Sequence, residues 1–289
     1  MKSSTVRIGL LQRKASPDPK KNVKIAIEGI EQLAKRGAQI ICLQELFNTL
    51  YFCREYQQEF FDLAESIPGP ITQQLSKVAK KHSVVVVAPF FEKRAAGIYH
   101  NSAVVLDADG SVVGHYRKMH IPDDPNFYEK YYFTPGDLGF QAIQTRYAKI
   151  GVLICWDQWF PEAARITAMQ GAQIIFYPTA IGQQDGEAAT VAKAQHQGWE
   201  IVQRGHAVAN EVFVAVANRV GKEGPITFWG QSFVSDPFGG ILKKASDDKE
   251  ENLVVACDLS LIESTRQGWP FFRDRRVDAY QSITQKFLV

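Results

Sequence analysis

The sequence predicts an α/β fold, a four-layer α-β-β-α sandwich of two mixed sheets with a pseudo-two-fold similarity between its halves. Three observations carry the prediction. Short apolar runs of strand composition alternate with helix-like stretches along the chain. The pentapeptide Gly37-Ala38-Gln39-Ile40-Ile41 returns as Gly171-Ala172-Gln173-Ile174-Ile175, each time after a helical pattern and before a strand. Each half then closes on a hairpin signal, Asp107-Ala108-Asp109-Gly110 in the first and Asp236-Pro237-Phe238-Gly239-Gly240 in the second. Helices covering one face of each sheet leave the other face to be buried against its counterpart.

The elements follow in order. Residues 6–12 are a short alternating strand, 23–36 a helix and 38–43 a second strand; 71–82 are helical and 84–91 extended. Residues 99–106 and 111–117 flank the first hairpin turn. After a loop rich in Pro, Asp and Tyr, the order recurs: a strand over 149–154, a helix over 161–170, a strand over 172–177, a long helix over 189–210 and a strand over 212–218. Residues 233–235 and 241–243 flank the second turn. Glycine favours helix C-caps, so helix-Gly-strand junctions tend to look alike. Identity across the whole pentapeptide, together with Ile8-Gly9 and Ile150-Gly151 at the openings of the two units, makes an internal repeat the better account, and two copies are too few for a solenoid.

A chain of 289 residues, 45% hydrophobic and 22% charged, buries a sizeable core, and it is read as a single domain over residues 1–289, although two close halves fit the same length. The balance of 33 basic against 31 acidic residues, without a long block of either sign, gives no footprint for nucleic acid or a membrane surface. A small-molecule substrate is expected instead. Cys42, Cys53, Cys155 and Cys257 form no Cys-x-x-Cys pair, so neither a zinc site nor a disulfide framework is expected. No apolar run approaches the roughly 20 residues of a membrane span, and the polar start lacks the pattern of a secretory leader. A cytoplasmic protein with free thiols is the expectation.

Three side chains at strand ends carry chemistry. Cys155 ends the strand over 149–154 and opens onto Trp156-Asp157-Gln158-Trp159-Phe160-Pro161-Glu162, read as the start of a helix whose amide groups would favour a thiolate. Taken alone, a cysteine there is better explained as a small buried hydrophobe. Glu45 follows the strand over 38–43, where ligand crevices form in α/β folds, and is a candidate general base. Lys118 closes the strand over 111–117; a solvated strand end is its plain reading. Together they supply a nucleophile, a base for its proton and a cation for a developing oxyanion.

The segments Leu43-Gln44-Glu45-Leu46-Phe47, Tyr116-Arg117-Lys118-Met119-His120-Ile121-Pro122 and Ile154-Cys155-Trp156-Asp157 resemble the signature segments of the nitrilase superfamily, the carbon-nitrogen hydrolases. The resemblance covers nearly the whole chain. It implies a Glu-Lys-Cys triad, the α-β-β-α sandwich, no metal or organic cofactor, and homo-oligomers built on dimers that pack into α-β-β-α-α-β-β-α units, with larger rings or an octamer left open. Carried onto this sequence, Cys155 is the nucleophile, Glu45 the base and Lys118 the oxyanion-stabilising cation, with the Trp156 backbone N–H beside it. Glu129, in Tyr128-Glu129-Lys130-Tyr131-Tyr132-Phe133-Thr134-Pro135-Gly136-Asp137, matches the additional glutamate near the triad and is expected to orient Lys118 or the attacking water.

The same segments, extended to Tyr177-Pro178-Thr179-Ala180-Ile181-Gly182 and Phe272-Arg273-Asp274-Arg275-Arg276, resemble the N-carbamoylputrescine amidohydrolase branch. Val277-Asp278 departs from the Pro-Asp common there. Relatives that act on anionic substrates carry an arginine shortly after the nucleophile; here Gln158 and Trp159 stand in its place. An unpaired carboxylate in a closed pocket costs several kcal/mol, so the resemblance implies a substrate with a neutral ureido head and a terminal ammonium. Trp156, Trp159, Tyr51 and Phe127 are candidates for its apolar walls, Thr179 and His120 for the pocket near the triad, and Glu187, Asp185, Asp123 or Asp124 for the ammonium, with Glu187 preferred.

Other readings explain less. A papain-like Cys-His protease using His100, His115 or His120 leaves the glutamate and lysine segments idle, and Cys155 lacks that family's local signature. Asp107-Ala108-Asp109-Gly110 matches the opening of a calcium loop without its terminal glutamate. A catalytically silent interaction module on this fold has no need for Glu45, Lys118 and Cys155 together.

Overall fold

The computed structural model describes residues 4–288. The first half runs β1 (Thr5–Gln12), α1 (Pro19–Lys35), β2 (Ile40–Cys42), α2 (Pro70–His82), β3 (Val85–Ala95), β4 (Ile98–Leu106) and β5 (Val112–Arg117). A short helix α3 (Glu129–Tyr132) and strand β6 (Ala142–Gln144) lead to β7 (Lys149–Val152), α4 (Pro161–Met169), β8 (Ile174–Thr179), β9 (Gly182–Gln184), α5 (Ala189–Asn210) and β10 (Phe213–Asn218). Strands β11 (Val220–Glu223), β12 (Ile226–Trp229), β13 (Phe233–Ser235), β14 (Ile241–Lys244) and β15 (Glu251–Asp258) precede helix α6 (Ser260–Gly268).

Two six-stranded sheets result, ordered β15-β1-β2-β3-β4-β5 and β14-β13-β10-β8-β7-β6. Read from β1 and from β7, both give two parallel pairings followed by two antiparallel ones, and each first strand takes a further antiparallel neighbour, β15 or β6. The internal similarity predicted from the pentapeptide is therefore a similarity of topology.

The repeat has a local cause. Gly37 and Gly171 follow α1 and α4 with φ of +86° and +93°, a conformation that costs glycine nothing and a β-carbon strain. The glutamine two residues later makes the same bonds in both copies. Gln39 Oε1 accepts the Arg7 N–H at 2.9 Å while its own N–H donates to Arg7 O; Gln173 Oε1 accepts the Lys149 N–H at 3.1 Å while its N–H donates to Lys149 O. Each glutamine thus pins the entry of one strand to the start of its parallel neighbour.

Alternation along the strands divides the core. Ile40, Val85, Val87 and Val105 face the second sheet, in one cluster with Ile150, Val152 and Val216. Their neighbours Ile41, Val86, Ala88 and Val104 pack against Ile30 and Leu33 of α1 and Leu75 and Val78 of α2. Helices α4 and α5 cover the outer face of the second sheet, completing the predicted four layers.

Three details differ from the sequence reading. Helix α1 begins at Pro19 rather than Val23, because Asp18 caps it by accepting the Lys20 and Lys21 N–H groups and proline suits the first helical position. The stretch after Cys155 is a tight 3-10 turn over Cys155–Trp159, and the helix waits for Pro161. A third, three-stranded sheet, β11-β12-β9, has no counterpart among the described residues of the first half. No helix among the described residues is long and apolar enough to cross a membrane.

Candidate active site

Glu45, Lys118 and Cys155 each follow the end of a strand, and Glu129 opens α3. Lys118 extends β5 by one step, its N–H bonded to Asn101 O on β4. The loop behind it comes so close that a β-carbon on Gly136 would lie 2.1 Å from Arg117 O. Arg117 ties this corner down through Glu92, at 2.6 and 2.8 Å, and Asp137 at 2.9 Å. Beyond β2, Glu45 enters a tight turn in which Leu46 has φ +48°.

The structure brings Glu45, Lys118 and Glu129 into one buried cluster. Lys118 Nζ donates to Glu45 Oε1 at 2.9 Å and to Glu129 Oε2 at 2.6 Å, and all three side chains are at most 1% exposed. Asn101 Nδ2 also donates to Glu45 Oε1, at 2.7 Å, and Tyr51 Oη donates to Glu129 Oε1 at 2.8 Å. Glu45 Oε2 is buried without a hydrogen-bond partner, one carboxylate oxygen left open to act on a proton.

Charge and burial set the protonation states. Burial opposes the charge on Lys118, but the carboxylates of Glu129 and Glu45 outweigh it and hold the ammonium well above the ordinary lysine range. Two carboxylates share one cation, so burial together with the Glu45 charge pushes Glu129 up to about 7 despite Lys118 and the Tyr51 hydroxyl. Burial, with Glu45 next, drives the Cys155 thiol up, and Lys118 opposes them only in part. Cys155 is therefore held as a thiol rather than the thiolate expected from a helix N-terminus.

Cys155 adopts φ +42°, a left-handed conformation that bulky residues avoid, so the thiol stands on a strained corner. Asp157 holds that corner. Its Oδ2 accepts the Ile154 N–H at 2.9 Å and Tyr116 Oη–H at 2.7 Å, and its Oδ1 lies 3.0 Å from the His120 N and 2.8 Å from His120 Nδ1.

Cys155 and Glu129 open onto a cavity of about 540 Å³ that Trp156, Trp159, Phe127 and Trp229 line with aromatic surface. The charged side chains lining it, Asp124, Glu129 and Glu187, are all acidic. A more open depression of about 780 Å³, around Phe61, Tyr99 and Tyr131, contains none of the triad.

The other predicted binding residues divide. Trp156, Trp159 and Glu187 line the cavity as expected. Tyr51 does not: it is fully buried and acts on Glu129 instead of forming a wall. His120 lies outside the lining, stacked on Phe160 at 3.6 Å and tied to Asp157. Thr179 is buried at the end of β8, where its hydroxyl, otherwise unbonded, faces the Cys155 sulfur and favours the thiolate. Asp185 is ion-paired with Lys222 at 2.8 Å. Gln158 points away, its Oε1 accepting the Trp199 indole N–H at 3.0 Å, and Arg165 bonds Ala209 O and stacks on Phe272 outside the cavity.

Sequence reasoning missed Asn101, Asp157, Trp229 and Arg219. Asp157 lay within the quoted nucleophile segment, yet its role depends on partners far along the chain. No local signal marks the other three.

A buried carboxylate, ammonium and thiol at the strand ends of a two-sheet sandwich define a thiol-dependent hydrolase. The chain belongs to the carbon-nitrogen hydrolase family, whose model matches residues 7–267. It is 45% identical over 98% of its length to an N-carbamoylputrescine amidase from Solanum lycopersicum, covering 96% of that protein. It is 39% identical, over 98% of its length and all of the relative's, to a citrullinase from Francisella tularensis subsp. tularensis. The crystal structure of a carbon-nitrogen hydrolase from Helicobacter pylori G27 superposes with a TM-score of 0.95 at 46% identity, covering 98% of this chain and 100% of that one.

Proposed function

We propose that the protein hydrolyses N-carbamoylputrescine to putrescine, carbon dioxide and ammonia, a step of polyamine synthesis, through a covalent intermediate on Cys155. The observation that carries the substrate is the charge of the cavity: aromatic walls, with Asp124 and Glu187 among the lining residues and no basic side chain there. An ammonium is matched there. A carboxylate would be left without a partner.

The mechanism follows from the geometry. A thiol whose pKa is raised by burial needs its proton removed as it attacks, and the open Oε2 of Glu45 is the acceptor. As the S–C bond forms, the carbonyl π pair moves to oxygen, where Lys118 and the Trp156 N–H stabilise it. Collapse breaks one C–N bond, and Glu45 gives its proton to the departing nitrogen. Water gives a proton to the same carboxylate as it attacks the carbamoylated carbon; the S–C bond breaks, the sulfur takes that proton back, and the carbamic acid released loses carbon dioxide, which breaks the second C–N bond. Glu129, through its 2.6 Å bond, keeps Lys118 directed at the oxyanion.

Citrulline and β-ureidopropionate share the ureido head but carry a carboxylate, so comparing them with N-carbamoylputrescine on one preparation tests the reading. The cationic substrate is expected to be preferred by at least tenfold in kcat/KM; equal turnover of either carboxylate overturns the assignment and leaves the family intact. We also read the protein as a homo-oligomer. Ile166, Met169, Tyr280 and Ile283 are exposed around one depression, apolar surface suited to a second copy, and light scattering measures the mass.

A further inference from the structure

The unexpected third sheet places a buried ion pair behind the triad. Arg219, fully buried between β10 and β11, donates through Nη2 to Glu45 O at 3.1 Å and Leu46 O at 2.8 Å, and through Nη1 to Thr49 O at 3.0 Å. These carbonyls belong to the turn that presents Glu45. Nη1 also meets Glu223 Oε1, at the end of β11, at 2.7 Å. The other oxygen, Glu223 Oε2, accepts the Tyr51 N–H at 2.6 Å, and Tyr51 in turn bonds Glu129. One guanidinium and one carboxylate from the second half therefore hold the backbone of the residues that orient both glutamates on Lys118. Phe228, under the guanidinium at 5.5 Å, also packs edge-on against Tyr51 at 6.0 Å.

We propose that Arg219 and Glu223 are positioning residues of the active site: they fix Glu45 on its strained turn and Tyr51 against Glu129, and so set the geometry in which Lys118 is shared and the thiol loses its proton. The chemistry favours an arginine. Its planar fork donates to several carbonyls and a carboxylate at once, whereas a lysine ammonium has no such fixed geometry. The turn it holds includes Leu46 at φ +48°, a conformation the chain adopts only where surrounding structure imposes it. The same sheet supplies Gly182, Gln184 and Trp229 to the substrate cavity, so the element that holds the base also forms a wall of the pocket.

The inference rests on the catalytic reading of Glu45 and Glu129, and the test separates the two. The full-length wild type, Cys155→Ala, Arg219→Lys, Glu223→Gln and Tyr51→Phe are compared for kcat and KM with N-carbamoylputrescine, for the pH dependence of kcat, and for the rate of Cys155 alkylation by iodoacetamide, which needs no substrate. Arg219→Lys and Glu223→Gln are expected to lower kcat about 10²-fold, the effect of a misplacement on the order of 1 Å, with KM little changed and alkylation slowed. The Tyr51 hydroxyl lowers the Glu129 pKa, so Glu223→Gln and Tyr51→Phe should both move the acid limb of kcat to higher pH. Their double variant should move it no further. Glu223→Gln is isosteric and decides the matter if Arg219→Lys does not fold. A lowered Tm with wild-type kcat, acid limb and alkylation rate in the folded protein makes the pair merely structural and overturns the inference. Activity that survives Cys155→Ala overturns the catalytic reading instead.

Discussion

Lys118 lies closer to Glu129 than to Glu45, 2.6 Å against 2.9 Å, although Glu45 is the carboxylate assigned to proton transfer. The lysine bonds Glu45 only through Oε1, and Glu45 Oε2 stays unbonded. Two carboxylates, one ammonium and a thiol in a buried space cannot all ionise without excess negative charge, and it is Glu129 that is pushed up to about 7.

A pH dependence follows. Tyr51 Oη–H and Lys118 Nζ–H already point at the two oxygens of Glu129, so a proton added to either displaces a donor. Activity is expected to fall as pH drops through about 7, and Glu129→Gln, which places an amide N–H₂ against one of those donors, should cost 10–10³-fold in kcat, about 1.4–4 kcal/mol. Stability runs the other way. The folded pKa of Glu129 lies above the ordinary 4.5, so the native state binds more protons and its contribution falls as pH rises from about 4.5 to 7. Denaturant unfolding at pH 5 and 7 should show Glu129→Gln flattening that slope.

The Asp157 carboxylate supports the turn that carries Cys155. Asp157→Asn replaces one acceptor oxygen by an N–H₂ group, so either the Ile154 N–H and Tyr116 hydroxyl or the two His120 groups lose their acceptor. Unfolding free energy should drop by about 1–3 kcal/mol, and kcat should fall more than KM rises. A variant with unchanged kcat would show that Cys155 holds its φ of +42° without this brace.

Substrate recognition gives a different signature. Glu187 is half-buried, lines the cavity and bonds only weakly to its own loop, at 3.4 Å from the Gln184 N–H. Glu187→Gln should raise KM for N-carbamoylputrescine about 10-fold with little change in kcat, and should hardly affect a neutral N-carbamoyl alkylamine. If KM stays put, a rise in KM in Asp124→Asn identifies Asp124 instead as the partner of the ammonium.

Much of this arrangement was legible in the chain. The pentapeptide forecast the matching sheets because glycine at positive φ and the glutamine bonds are local requirements, repeated wherever a helix hands over to a parallel strand. Glu45, Lys118 and Cys155 were marked out by their places after strands, and Glu129 by a segment that resembles a known one. β15 carried a signal that went unread: Leu253, Val255 and Cys257 alternate inward along an edge strand paired to β1 over its whole length. The roles of Tyr51, Asp157 and Arg219 were not legible, since each depends on partners more than 30 residues away. The helix expected after Cys155 failed for a local reason. Asp157 turns back onto the Ile154 N–H and closes a 3-10 turn, and the helix restarts at Pro161.

The strain at Cys155 separates its chemical part from its structural one. Cys155→Ala and Cys155→Gly both remove the sulfur and should both abolish turnover, because no other cysteine lines the cavity. They should differ in stability. A β-carbon at φ +42° clashes with its own backbone, at a cost of about 1–2 kcal/mol, and glycine escapes that cost. Cys155→Gly is therefore expected to unfold at a Tm a few degrees above Cys155→Ala, less whatever the freer glycine chain gains in the unfolded state. Such an ordering, with both variants inert, means that the fold tolerates the strained corner for the sake of the thiol it presents. The reverse ordering would mean that the turn is relaxed as it stands, and that Cys155 is placed by its neighbours' packing alone.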